Sequence, residues 1–334
     1  MKICALGYIG IGVPDPRACL DFATSVLGLM PARACPGEDW GMPAVPGSGP
    51  ASGGRGIAAD GSVYLKMDEW QWRIGVHPRA GRAGLMYLGL EVAGALELEQ
   101  ALAELRAAGC EARTGTEAEA CARAVTGMGH TRDPMGNAIE LFYGPVKDRK
   151  FVSPAGMEFV AGALGVGHIN LLAAPLVAAR DFYTRVLGFR LTDFIRFGPG
   201  DSANFFHCNA RHHSIGLLKV GDLAGVHHLM LEARDIDMVG RCLQRVEEAG
   251  IPITSTLGRH ANDRMLSFYM ASPFGFEVEI GCEGVRVDEH WRPSEFVEGD
   301  IWGHRGLDPE TIQRNLAATG AQGSRRYSNE QSRS

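Results

Sequence analysis

The 334-residue chain contains no run of eighteen apolar residues, which argues against a membrane-spanning helix. Its first residues, MKICALGYIGIGVPD, hold one lysine and a short apolar run broken by glycine and proline. They lack a signal-peptide cleavage region, so no secretory leader is expected. Charge of one sign is nowhere concentrated. The net charge is −6 with both signs dispersed, which leaves no electrostatic footprint for nucleic acid. Cysteine pairing motifs are also missing. The eight cysteines (Cys4, Cys19, Cys35, Cys110, Cys121, Cys208, Cys242, Cys282) are scattered, with no C-x-x-C pair. Reduced thiols in a cytoplasmic protein are the simplest expectation.

What is present is an ordinary globular composition, 45% hydrophobic and 22% charged, with length for about two domains. The 44 glycines suit many short strands joined by tight turns. Internal self-similarity organises those strands. Residues 6–29, LGYIGIGVPDPRACLDFATSVLGL, resemble residues 166–189, VGHINLLAAPLVAARDFYTRVLGF. Both join an apolar strand to a helix that stops at V-L-G, where glycine suits the C-terminal cap. MYLGLEV (86–92) matches HHLMLEA (227–233), and each leads into an amphipathic helix, over 95–108 and 235–249. DPMGNAIELFYG (133–144) matches SPFGFEVEIGCE (272–283). The predicted fold class is α+β, with four copies of a βαβββ module, two per domain, and each helix covering one sheet face. Segments 62–68, 72–77, 203–208 and 213–220 have the length and apolar content of the remaining strands.

This reading puts an N-terminal domain at 1–145, a linker at 146–163 where the periodicity lapses, and a C-terminal domain at 164–305. Residues 34–61 are rich in glycine, proline and alanine and predict a long loop with a mobile tip. The tail over 306–334 turns polar, loses its pattern and is expected to be disordered.

The repeats also align polar residues. His168 in the second half corresponds to Tyr8 in the first, His228 to Tyr87, and Glu279 to Glu140. Two imidazoles and one carboxylate with open positions form the facial set of non-haem Fe(II) oxygenases. The free positions can take a chelating substrate and O2. Tyrosine does not easily replace a neutral imidazole, so the first half is expected to bind no metal. One strand histidine alone is most often a packed or surface residue. Three suitable residues at matching repeat positions carry more weight. Glu277 shares a strand face with Glu279 by alternation, but it matches Ala138, so Glu279 is the ligand candidate. By the same alternation His227 points opposite His228, and at most one of them faces a metal.

The stretches VGHINLL, FFHCNARHHSIGLL, VHHLMLEA and TLGRHANDRMLSFYMASPFGFEVEIGCEG together resemble the two-domain, type I extradiol catechol dioxygenases of the vicinal oxygen chelate superfamily. The 2,3-dihydroxybiphenyl 1,2-dioxygenases and secosteroid-catechol dioxygenases are the most similar branches. The resemblance runs to WGHR (302–305) and is densest after residue 160. It implies Fe(II) held by His168, His228 and Glu279, with Mn(II) open because the same ligands accept it. It further implies an acid/base at His213, active-site partners at His260 and Tyr269, an aromatic pocket wall at Phe205, and a polar pair at Asn262 and Asp263. His227 is a candidate for the pocket rim. A chelating catechol must lose a proton, and Tyr269 and His260 are suited to manage it. His213, if protonated, would stabilise charge on the O2-derived fragment. Asn262 and Asp263 also read as an ordinary turn pair, and Tyr269 as a core aromatic. His207, His212, His290 and His304 are left to structural roles.

The resulting expectation is meta-cleavage of a bulky, biphenyl- or secosteroid-type catechol with O2 by a homo-oligomer. Two other readings keep the fold. A glyoxalase-type isomerase or lyase would draw more carboxylate or amide ligands from two facing modules. A metal-free binding protein would need no triad.

Overall fold

The computed structural model describes residues 1–38, 53–308, 310–312 and 314. The tip of the glycine- and proline-rich loop and most of the tail lie outside these residues. Four modules follow one another, each a strand, a helix and three strands. The first is β1 (Ala5–Val13), α1 (Pro16–Phe22), β2 (Met30–Pro31), β3 (Val63–Lys66) and β4 (Ile74–Pro78). The second is β5 (Gly84–Glu91), α2 (Ala95–Ala107), β6 (Arg113–Thr114), a short α3 (Glu117–Cys121), β7 (Val125–Arg132) and β8 (Ala138–Pro145). The third is β9 (His168–Leu172), α4 (Leu176–Asp181), β10 (Arg190–Gly198), β11 (Asp201–His207) and β12 (Ile215–Lys219). The fourth is β13 (Gly225–Glu232), α5 (Ile236–Glu248), β14 (Ile253–His260), β15 (Leu266–Met270) and β16 (Glu277–Cys282). Two short strands follow, β17 (Ser294–Phe296) and β18 (Asp300–Trp302).

Local chemistry explains the helix ends. Asp15 caps α1 by accepting from the amides of Arg17 and Ala18, and Pro16 takes the first helical position. The helix widens into a π-turn over Ala23–Leu27 and stops at Gly28, which adopts φ 75°. Gly188 repeats that left-handed stop at φ 78° in the third module. Asp235 caps α5 through the amide of Met238 at 3.0 Å.

Each half is one sheet built on the same plan. The first runs β2-β3-β4-β1-β5-β8-β7-β6. The second runs β17-β10-β11-β12-β9-β13-β16-β15-β14-β18. In each module the first strand pairs in parallel with the last, and the first strands of sister modules pair antiparallel. The ligand candidates therefore fall on three adjacent central strands, β9, β13 and β16.

One buried apolar cluster continues across both halves, from Leu6 and Ile9 of β1 to Val239 and Val246 of α5. Helix α5 rests on the first module's π-turn, with Arg245 Nε donating to the Val26 carbonyl at 2.9 Å. Fully buried Arg73 ties the linker down by donating to the carbonyls of Gly7 at 2.8 Å and Gly162 at 3.0 Å. The pattern-poor segment after residue 305 is partly built in. Ile312 is 6% exposed and packs with Leu172, Ile195 and Phe205. The expectation of disorder from 306 onward is corrected there, because an apolar side chain on a short helical turn finds a wall to cover. Among the described residues, no helix is long and apolar enough to cross a membrane.

Candidate active site

Three ligand atoms converge on the second sheet. His168 Nε2 lies 3.1 Å from His228 Nε2 and 3.3 Å from Glu279 Oε2, and His228 Nε2 lies 3.2 Å from that oxygen. Donors each about 2.1 Å from a common ion, at right angles, would stand ~3.0 Å apart, so this spacing matches one face of an octahedron. All three residues are buried, and neither Glu279 oxygen completes a well-directed hydrogen bond. A buried carboxylate without partners is costly, and a divalent cation would satisfy it. Burial pushes the His168 imidazole down to about 4, which leaves it neutral with a lone pair to donate. Burial opposes ionisation of Glu279, but the imidazoles of His168, His228 and His260 outweigh it and hold the carboxyl well below its usual range.

The bases of the cavity follow from strand geometry, with one exception. A bulge in β13 shifts the register between Val226 and His228. The extra residue breaks alternation, so His227 and His228 both line the cavity, with their Nδ1 atoms 2.5 Å apart. The expectation that His227 points opposite His228 is corrected by this bulge.

A second group flanks the triad. Tyr269 on β15 and His260 at the end of β14 meet at 2.9 Å, and His260 Nε2 lies 3.5 Å from Glu279 Oε1. Burial and the carboxylates of Glu279, Asp263 and Asp300 push the Tyr269 phenol well above its usual range. Burial alone would lower His260, but Asp300 and Glu279 raise it well above the usual histidine value. His213 stacks on His168 with ring centroids 3.8 Å apart. Burial and the neighbouring His168 and His212 rings hold it well below 6.5, so it is neutral. Phe205 packs its ring 4.7 Å from His213. Asn262 and Asp263 are buried beside the cavity, and Asp263 also makes the turn contact to the Met265 amide at 2.9 Å.

These groups line a cavity of about 300 Å³, within the range of small-molecule sites. Its floor is polar. Its outer wall is apolar, formed by Ile195, Phe197, Ala203, Phe205, Leu218 and Ile312.

Residues 165–280 match the family model of the Glyoxalase/Bleomycin resistance protein/Dioxygenase superfamily. The chain is 37% identical over 316 residues to an iron-dependent extradiol dioxygenase of Rhodococcus jostii (strain RHA1), covering 91% of this chain and 97% of that one. The chain belongs to the extradiol dioxygenases. A biphenyl-2,3-diol 1,2-dioxygenase of Paraburkholderia xenovorans (strain LB400) is 36% identical, with 95% of this chain and all of that one covered. A crystal structure of a halotolerant catechol dioxygenase superposes with a TM-score of 0.82 at 33% identity, covering 93% of this chain and 97% of the other.

The first half of this extradiol dioxygenase shows what the repeat positions do without imidazole. Tyr8 donates to Glu140 at 2.7 Å, and Arg123 grips both Glu140 oxygens at 2.9 and 2.8 Å. The same guanidinium lies over the Tyr87 ring, 4.1 Å from its centroid. A side-chain cation balances the carboxylate there.

Two residues lining the cavity escaped the sequence reading. His304, taken as structural, lines the cavity with its ring 4.1 Å from that of His260. Asp300 Oδ1 accepts from His260 Nδ1 at 2.7 Å and from His304 Nδ1 at 2.6 Å. Both sit beyond the repeats, where module alignment offers no partner. The W-G-H triplet at 302–304 was the available signal.

Proposed function

We propose that His168, His228 and Glu279 hold iron(II), and that the enzyme meta-cleaves a catechol bearing a bulky apolar substituent, of the biphenyl or secosteroid kind. The observation that carries this reading is the triad of converging ligand atoms, with two unpartnered carboxylate oxygens, at the polar floor of an apolar-walled cavity. Iron(II) held there would supply a redox centre between the aromatic ring and O2. Manganese(II) suits the same donors.

The protein's own groups have distinct tasks in this reading. Tyr269 stays a phenol and donates to an ionised catechol oxygen, while His260 holds the Tyr269 hydroxyl in place at 2.9 Å. His213 presents a neutral Nε2 with no partner. It takes a proton from the bound catechol and returns it as charge develops in the cavity. Asn262 and Asp263 hold the rim polar, His227 lines it, and Phe205 gives the ring a flat apolar wall. Exclusion of water by the Ile195, Leu218 and Ile312 side chains strengthens these interactions. The reading includes a cytoplasmic homo-oligomer, in keeping with the lack of any disulfide among the described residues.

Anaerobic reconstitution with Fe(II), followed by air and 2,3-dihydroxybiphenyl, is expected to give a yellow ring-opened product with one O2 consumed per catechol. Absence of O2 uptake with this and a panel of other catechols would overturn the assignment. A preference for unsubstituted catechol over 2,3-dihydroxybiphenyl would overturn the bulky-substituent reading alone.

A further inference from the structure

His213 is not an isolated side chain. Its Nδ1 lies 3.1 Å from His212 Nδ1, and His212 Nε2 lies 2.9 Å from Asp193 Oδ2. The other Asp193 oxygen accepts from Asn262 Nδ2 at 3.2 Å. Asp193 and His212 are both buried, at 0% and 2% exposure. Thr192 Oγ1 donates to the His212 carbonyl at 2.6 Å, which fixes the backbone of the turn that carries both histidines. A bulge between Leu191 and Asp193 lets two consecutive residues of β10 serve this turn.

We propose that Asp193 and His212 are positioning residues that decide which ring nitrogen of His213 carries the proton. The inference rests on the acid–base assignment of His213 made above. A carboxylate only accepts, so His212 Nε2 carries a hydrogen. In a neutral ring His212 Nδ1 is then an acceptor, and the hydrogen between the two histidines belongs to His213 Nδ1. His213 Nε2 is left as a bare lone pair. That atom is buried, has no hydrogen-bond partner and belongs to a residue lining the cavity. The chain Asp193–His212–His213 thus presents a proton acceptor to the cavity in one tautomer. It uses the logic by which a buried aspartate orients a catalytic imidazole in hydrolytic triads, extended by one more ring. Asn262, bonded to the second Asp193 oxygen, keeps the carboxylate from rotating away.

Asp193→Asn tests this with little change of shape. The amide nitrogen can donate to His212 Nε2, move the His212 proton to Nδ1, and force the His213 proton onto Nε2. On the iron-loaded enzyme, D193N is expected to lower kcat by roughly 10²-fold. KM and the anaerobic dissociation constant for 2,3-dihydroxybiphenyl should stay within about threefold, with iron content unchanged. The deciding measurement is a double-mutant cycle with His213→Ala. If Asp193 acts through His213, D193N adds no further loss in the H213A enzyme. Additive losses would overturn the proposal while leaving His213 as acid–base residue. An H213A enzyme of full activity would overturn the assignment of His213 itself, and the proposal with it. Should D193N fail to fold, His212→Asn replaces it, because the Asn Oδ1 stands near the lost Nδ1 and can accept from His213. H212N is expected to retain most of the activity and His212→Leu to fall as far as H213A. Equal activity of H212N and H212L would overturn the proposal.

Discussion

Tyr8 donates its phenolic hydrogen to Glu140 across 2.7 Å, on the strands of the first half that match those carrying His168 and Glu279 in the second. The repeat carboxylate has kept its place and changed its neighbours. In the second half three imidazole nitrogens surround the carboxylate at 3.2 to 3.5 Å. In the first half the Arg123 guanidinium takes that task. Arg123→Ala should therefore strand a buried carboxylate and destabilise the fold by about 3 kcal/mol. Urea unfolding measures the loss. Iron stoichiometry should be unaltered in the folded fraction, and a drop in iron content would contradict the division of labour between the halves.

His228→Ala and Glu279→Gln remove one proposed ligand each from a face of three. Each variant is expected to lose most of its iron on gel filtration and to fall to background O2 consumption, while keeping a folded circular dichroism spectrum. Metal analysis showing wild-type iron in either variant would move the metal site elsewhere.

Tyr269→Phe deletes one hydroxyl, the one 2.9 Å from His260 Nε2. The ring packing survives, because phenylalanine fills the same volume. kcat is expected to fall by roughly 10²-fold, with iron content intact. An unchanged kcat would reduce Tyr269 to a packing residue.

Acid sensitivity follows from two histidines away from the proposed metal triad. Burial holds His77 and His207 at about 4 in the folded protein, below the ordinary 6.5. Unfolding restores the ordinary value, so between these limits the unfolded chain binds more protons than the folded one. Stability is full above about pH 6.5 and falls as the pH drops towards 4. Metal-free protein should melt at a lower temperature at pH 5 than at pH 7, and His77→Gln should flatten that slope. A melting temperature that rises on acidification has the wrong sign.

The sequence by itself determined the modular plan and placed three ligand candidates at matching positions. Side chains alternate along a strand with period two, and the four modules repeat that register, so residues at matching positions must meet on matching central strands. His168, His228 and Glu279 stand out as candidates in the sequence for that reason. Tertiary structure alone decided the rest. A single inserted residue in β13 turned His227 to the cavity beside His228, and no propensity marks such a bulge. The pairing of Asp193 with His212, and of Asp300 with His260 and His304, joins residues on different strands or beyond the repeats. Arg123 reaches Glu140 from the turn after α3, and Ile312 closes the apolar wall from a segment with no periodic signal. Such contacts depend on how the sheets close and which loops cross them, and these are distances that no local pattern encodes.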